Sequence, residues 1–170
     1  MIYFIGGASR TRKSTFAKRI SEQRKIQFIE LDQIRNKLLD RPDNPDRVSE
    51  WFYPYLESFV RNNIKTKSNY ILEIDLFNPE QVIELRKNFP LRACFIGSST
   101  IDGEFLRNMN SERGWHLGMT DTELDDLAVK IKNISEIFKQ KCEENDFQYI
   151  DVEKHENDKL NEIQTALFED

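Results

Sequence analysis

Residues 6 to 15 read Gly6-Gly7-Ala8-Ser9-Arg10-Thr11-Arg12-Lys13-Ser14-Thr15. Their types and spacing are those of a phosphate-binding loop, GxxxxGK[ST], opened by Gly7 and closed by Lys13-Ser14, with Arg12 where the second glycine belongs. Backbone N–H groups in such a turn point inward around a phosphate, and the helix that follows aims its positive end at the same place. Lys13 is placed to reach the terminal phosphates and the Ser14 hydroxyl to sit on Mg²⁺. Residues Gly7 to Thr15 are therefore the expected nucleotide contacts, and a nucleoside triphosphate, ATP or GTP, is the expected ligand. A glycine at position 12 would let the backbone lie close to the phosphate. The Cβ and long side chain of arginine either crowd that approach or find another arrangement, in which the side chain swings outward or adds charge to the bound phosphates.

A second constellation is acidic. Ile71-Leu72-Glu73-Ile74-Asp75 places two acids inside an apolar strand, both on one face because strand side chains alternate. Burying them is costly unless they are paired or near a metal. Either a Mg²⁺ site or a structural pair with a lysine or arginine satisfies that requirement. Asp32, in Leu31-Asp32-Gln33-Ile34-Arg35, follows another apolar run. Its position suits a helix cap as well as a functional acid.

These residues need elements to position them. Ile2 to Ile5 form a short buried-strand run ahead of the loop, and Phe16, Ala17 and Ile20 give helical spacing after it. Ile26 to Leu31 reads as a second strand ending at Asp32, followed by a short helix through Ile34, Leu38 and Leu39. Arg41 to Pro45 is a turn-rich break. An amphipathic helix follows, with Val48, Trp51, Phe52, Tyr55, Leu56, Phe59 and Val60 on one face. Pro54 should kink it or start a new helix. Tyr70 to Phe77 is the third strand. Asn78 and Pro79 open a helix that Pro90 stops, and Leu91 to Ile96 is the fourth strand. Residues 98 to 119 read as polar and irregular. Thr120-Asp121-Thr122-Glu123 is a capping box for the longest helix, which runs through Cys142. Phe147 to Val152 is a fifth strand, and Leu160, Ile163 and Leu167 mark a last helix.

Alternating strands and helices imply an α/β chain, a three-layer α/β/α arrangement around a five-stranded parallel sheet. Ligands of such sheets bind beyond the carboxyl ends of the strands, where the loop, Asp32, Asp75 and the segment after Ile96 all fall. A chain of 170 residues suits one domain, 1–170. The net charge of −5 argues against a nucleic-acid or anionic-membrane surface while leaving room for a basic pocket at Arg10, Arg12 and Lys13. Two distant cysteines, Cys94 and Cys142, make neither a metal pattern nor a disulfide framework, so a reducing cytoplasm is expected. The opening apolar run is too short for a signal peptide, and no segment approaches the length of a membrane span.

Ile5-Gly6-Gly7-Ala8-Ser9-Arg10-Thr11, Leu31-Asp32-Gln33-Ile34-Arg35 and the stretch from Gly114-Trp115-His116 to Cys142 resemble the small P-loop kinases of the nucleoside-monophosphate-kinase-like group. Adenylate, shikimate, gluconate and zeta-type toxin kinases belong to that group, and bacterial proteins described as adenylate-kinase-like look closest. The resemblance implies a P-loop NTPase fold with strand order 2-3-1-4-5 and a helical lid over approximately 98–119. It implies that Asp32 faces an acceptor hydroxyl, as a base or through Mg²⁺, and that Arg35 holds an anionic acceptor. Glu73 and Asp75 resemble the acids of a Walker B strand, so Ser14, Asp32, Glu73 and Asp75 form the expected metal set. Arg107 and Arg113 of the lid, with Lys13, are the expected stabilisers of the transferring phosphoryl group. Trp115 and His116 are expected as hinge or packing residues. The activity implied is an ATP-dependent phosphotransferase acting on a small-molecule or nucleotide acceptor. The alternative is a catalytically impaired nucleotide-binding module with a variant loop. Neither the acceptor nor the oligomeric state is legible.

Overall fold

The first strand, β1 (Ile2–Gly7), lies at the middle of a five-stranded sheet ordered β2-β3-β1-β4-β5. Its companions are β2 (Gln27–Glu30), β3 (Tyr70–Glu73), β4 (Leu91–Gly97) and β5 (Gln148–Asp151), and every pairing is parallel. The helices are α1 (Lys13–Arg24), α2 (Leu31–Leu38), α3 (Pro45–Lys65), α4 (Pro79–Asn88), α5 (Gly103–Asn108), α6 (Asp121–Glu144) and α7 (Leu160–Phe168). The computed structural model describes residues 1–38, 45–75, 77–109, 118–153 and 159–169, and only the backbone over 35–38 and 45–51.

Alternation along the strands sorts the core into two layers. Ile2, Phe4, Leu72, Ala93 and Phe95 face α3, α4 and α6, packing on Phe52, Leu56, Val60, Val82, Leu85, Phe138 and Cys142. Ile5, Ile71, Cys94, Ile96 and Ile150 face the other way, onto Phe16, Ala17 and Ile20 of α1 and Leu160, Ile163 and Leu167 of α7. The three-layer α/β/α architecture and the 2-3-1-4-5 order are as the sequence and its resemblance imply. Burial on both faces is what an all-parallel sheet requires.

Several expectations are corrected. Of the two outcomes expected at Pro54, a kink or a new helix, the second does not occur, because one helix, Pro45–Lys65, runs through it. Pro54 is exposed on this helix. The third strand ends at Glu73, four residues short of Phe77. Leu31 and Asp32 belong to the first turn of α2 and not to the second strand. The polar stretch from 98 contains a helix, α5, started by Asp102, whose carboxylate accepts from the Phe105 N–H at 2.7 Å. Ile101 and Leu106 bury that segment against Leu124, Ala128 and Ile131 of α6. Two N-cap readings hold. Thr120 and Glu123 form the capping box of α6, and Pro79 opens α4 behind Asn78. The turn at 41–44, Leu39, Arg113, Gly114, Trp115 and His116 lie outside the described residues, as do the side chains of Arg35, Val48 and Trp51.

Candidate functional site

The loop after β1 is held by the end of β4. Gly7 pairs in register with Ile96, and the Ala8 N–H donates to the Ile96 carbonyl at 3.0 Å. Gly7 has φ +127°, and a Cβ there would lie 2.0 Å from the Ile96 oxygen. The first glycine of the motif is thus demanded by both backbone conformation and space. Across the loop, the buried Thr11 hydroxyl donates to the Ala8 carbonyl at 2.8 Å.

Position 12, the N-cap of α1, is left-handed, with φ 63° and ψ 19°. This explains why the motif calls for glycine. Arg12 adopts the same conformation at a cost of roughly 1–2 kcal/mol. Its guanidinium carbon lies 5.2 Å from the Phe105 ring centroid on α5.

Lys13, the first residue of α1, is 3% exposed despite its charge. Its ammonium donates to the Ala8 carbonyl at 2.5 Å, forms a close ion pair with Asp75, and stands 4.0 Å from Glu73 Oε1. A buried lysine needs such partners. The Ser14 hydroxyl donates to Glu73 Oε2 at 3.1 Å, and the Ser9 hydroxyl to Asp75 Oδ2 at 2.8 Å. The Asp75 N–H donates to Asp32 Oδ2 at 2.9 Å. The ends of two strands, β2 and β3, therefore bring three acids together, and Glu73 and Asp75 among them engage Lys13 and two serines of the loop.

Asp32, Glu73 and Asp75 each offer a carboxylate oxygen within 4.8 Å of the others. Hard oxygen donors of this kind, with Ser14 alongside, suit Mg²⁺, which keeps several of its waters and takes one or two carboxylates. Burial raises the Glu73 carboxyl to about 7; Lys13 opposes the rise, Asp75 and Asp32 add to it, and the Ser14 hydrogen bond opposes it. Burial also lowers the Arg10 pKa, against the pull of Asp75. The partly buried Arg10 guanidinium therefore lies within the electrostatic reach of that acid.

Gly7, Ala8, Ser9, Arg10, Thr11, Lys13 and Ser14 of the loop converge with Asp32, Glu73 and Asp75. Asp75 reaches Lys13 from a bend beyond β3, so strand alternation is not what brings the two acids together. Thr15 is exposed on α1. Arg107 pairs with Asp121 at 2.8 Å, between α5 and the start of α6. Arg35 is placed on α2 by its backbone alone. Phe105 is the participant that sequence reasoning missed. The Asp102 cap could have revealed its helix, but no local pattern reports that its ring meets Arg12.

No protein-family model matches this chain, and no curated protein matches its sequence. Solved structures do. A sugar kinase from Janibacter sp. is similar with a TM-score of 0.63 and 14% identity, over 97% of this chain and 92% of that one. A shikimate kinase from Bacteroides thetaiotaomicron is similar with a TM-score of 0.57 and 15% identity, over 98% and 93% of the two chains. A gluconokinase from Sinorhizobium meliloti has a TM-score of 0.53 and 18% identity, over 97% and 88%. At these identities the likeness establishes a shared fold, that of the small P-loop kinases.

Proposed function

We propose that this chain is a nucleoside-triphosphate-dependent phosphotransferase that passes the γ-phosphoryl group of ATP or GTP to a small-molecule acceptor. The observation that carries the reading is the meeting of Lys13 and Ser14 with Asp32, Glu73 and Asp75 beyond the carboxyl ends of parallel strands. Phosphoryl transfer asks the protein for position and neutralised charge more than for covalent chemistry. Lys13 supplies positive charge to the terminal phosphates by exchanging Asp75 for them. Ser14 and Glu73 offer adjacent oxygens for Mg²⁺, with Asp32 and Asp75 completing the donor set. Bound Mg²⁺ would neutralise charge on the phosphate oxygens. Asp32, in the first turn of α2, faces the acceptor hydroxyl, with Arg35 one turn further on. The segment 98–119 serves as the lid and brings Arg107 and Arg113 to the phosphoryl group. The same reading takes 1–170 as one domain. Its placement in a reducing cytoplasm is supported by two buried free thiols, Cys94 and Cys142.

A second reading is a nucleotide-binding module without transfer. It draws support from Lys13, which is already engaged by Ala8 and two acids, and from the arginine at the left-handed loop position. One experiment separates the two. Transfer of labelled γ-phosphate is followed across a panel of sugars, sugar acids and nucleoside monophosphates, for wild type and Lys13→Ala. Turnover that falls by about 100-fold or more in the variant supports the phosphotransferase. ATP binding without Lys13-dependent turnover supports the module. Failure to bind any nucleotide sinks both.

A further inference from the structure

Arg12 sits at the turn where the phosphate loop becomes α1, and its conformation is one that glycine would adopt without strain. The chain keeps an arginine there, and the guanidinium lies over Phe105, 5.2 Å from the ring centroid. Phe105 belongs to α5, a helix of only two turns that cannot be stable alone. One side of α5 is accounted for. Leu106 is fully buried with Ile101 against Leu124, Ala128 and Ile131 of α6, and Ala8 of the loop joins that cluster. Gly103 lies so close to α6 that a Cβ would meet Asp125 Oδ1 at 1.9 Å. Phe105, turned about 100° round the helix from Leu106, packs on the edge of the same cluster and also meets Arg12. The loop therefore touches α5 at two points. Ala8 joins its buried side and Arg12 lies over its partly buried ring.

We infer that Arg12 is a positioning residue whose guanidinium, stacked on Phe105, docks α5 against the phosphate loop. Arginine suits this task because its planar cation stacks on an aromatic face while keeping its charge in reach of water. A lysine would keep the charge and lose the plane. The docking holds the loop's closing turn and α5 as one unit, so that the helix carrying Arg107 has a set distance from Lys13. The consequence for nucleotide rests on the phosphotransferase reading above. The docking itself does not.

Amide hydrogen exchange of the ligand-free protein tests the docking directly, read at Leu106, whose N–H bonds the Asp102 carbonyl at 3.0 Å. Wild type is compared with Arg12→Gly, Arg12→Lys, Phe105→Leu and the Arg12→Gly/Phe105→Leu double variant. Glycine accepts the left-handed turn and leucine keeps an apolar side chain, so neither single change threatens the fold. Each is expected to speed exchange at Leu106 by about fivefold, with the double variant no faster than either single. Arg12→Lys should fall between wild type and Arg12→Gly, and Phe105→Tyr should restore protection. The same set is then titrated with Mg-ATP. Affinity is expected to fall by a similar factor in Arg12→Gly and in Phe105→Leu, again without additivity. Unchanged Leu106 exchange in Arg12→Gly, or effects that simply add in the double variant, overturns the inference. So does a loss of affinity in Arg12→Gly that Phe105→Leu does not share, because that pattern belongs to a direct charge on phosphate. Coupled exchange together with no nucleotide binding by wild type leaves the docking standing and removes the proposed function.

Discussion

Glu73 is the residue on which the site's electrostatics turn. It is almost wholly buried, faces two other acids, and has one lysine and one serine for relief. Its carboxyl rises from an ordinary 4.5 to about 7 in the folded chain. Between those values the folded state holds a proton that the unfolded state has shed. Stability from neutral Glu73 is therefore complete below about 4.5 and is lost as pH rises through 7, a change of about 3 kcal/mol. Urea denaturation in EDTA from pH 4.5 to 8 should show Glu73→Gln gaining on wild type by that order. A difference that stays level with pH would mean that Glu73 ionises normally. Gly7 makes a plainer prediction. With φ +127° and the Ile96 oxygen 2.0 Å from any Cβ, Gly7→Ala must shift β1 away from β4. A loss of roughly 2–4 kcal/mol is expected, since both strain and steric overlap act. A variant that melts within a degree or two of wild type would contradict it.

At the scale of elements, α5 and α6 decide what the segment after β4 can do. Their junction includes the Arg107–Asp121 pair, whose side chains are 43% and 80% exposed. A pair that open to water contributes at most about 1 kcal/mol. Arg107→Ala should therefore leave the melting temperature nearly unchanged. If Arg107 reaches the phosphoryl group when the segment closes, the same variant should lower kcat by about 10- to 1000-fold with little change in KM. A normal kcat would remove Arg107 from the transfer step. The elements also show what was readable in advance. The capping box at Thr120 and the Asn78-Pro79 start were legible because a helix terminus is specified by its own few residues. The shortening of β3 to Tyr70–Glu73 was not legible, because apolar residues through Phe77 continue the pattern after the pairing has stopped. Phe77 is buried against Phe4 without belonging to the strand.

For the molecule as a whole, the site depends on how firmly β4 is packed. Phe95 stacks on Phe138 at 5.8 Å and meets Phe147 edge-on at 5.4 Å, with Phe4 beyond. The next residue, Ile96, gives its carbonyl to Ala8 of the loop. Phe95→Ala should cost about 3–5 kcal/mol by leaving a cavity among aromatic rings. Its urea midpoint should fall with the slope of the transition unchanged. Nucleotide affinity should fall further than that of a variant made equally unstable at the end of α7, such as Leu167→Ala, because Leu167 lies beside Arg92 at the start of β4, the end opposite Ile96 and the loop. Equal affinities in the two variants would show that β4 packing and the loop are not linked.

Taken alone, the sequence determined the alternation of strands and helices, the parallel sheet and the place of the Gly7–Thr15 loop beyond the carboxyl end of the first strand. Those features are written in residues near one another: apolar runs of strand length, faces of helical spacing, and a glycine followed by Lys13-Ser14. The strand order came by resemblance rather than from the residues themselves, and the sheet agrees with it. Tertiary structure alone decided which acids meet Lys13, that Ser9 and Asp75 are joined across 66 positions, and that Arg12 lies over Phe105. Such contacts bring together segments far apart in the chain. Their geometry is set by the sheet's register and by packing on both of its faces, and no local pattern records either.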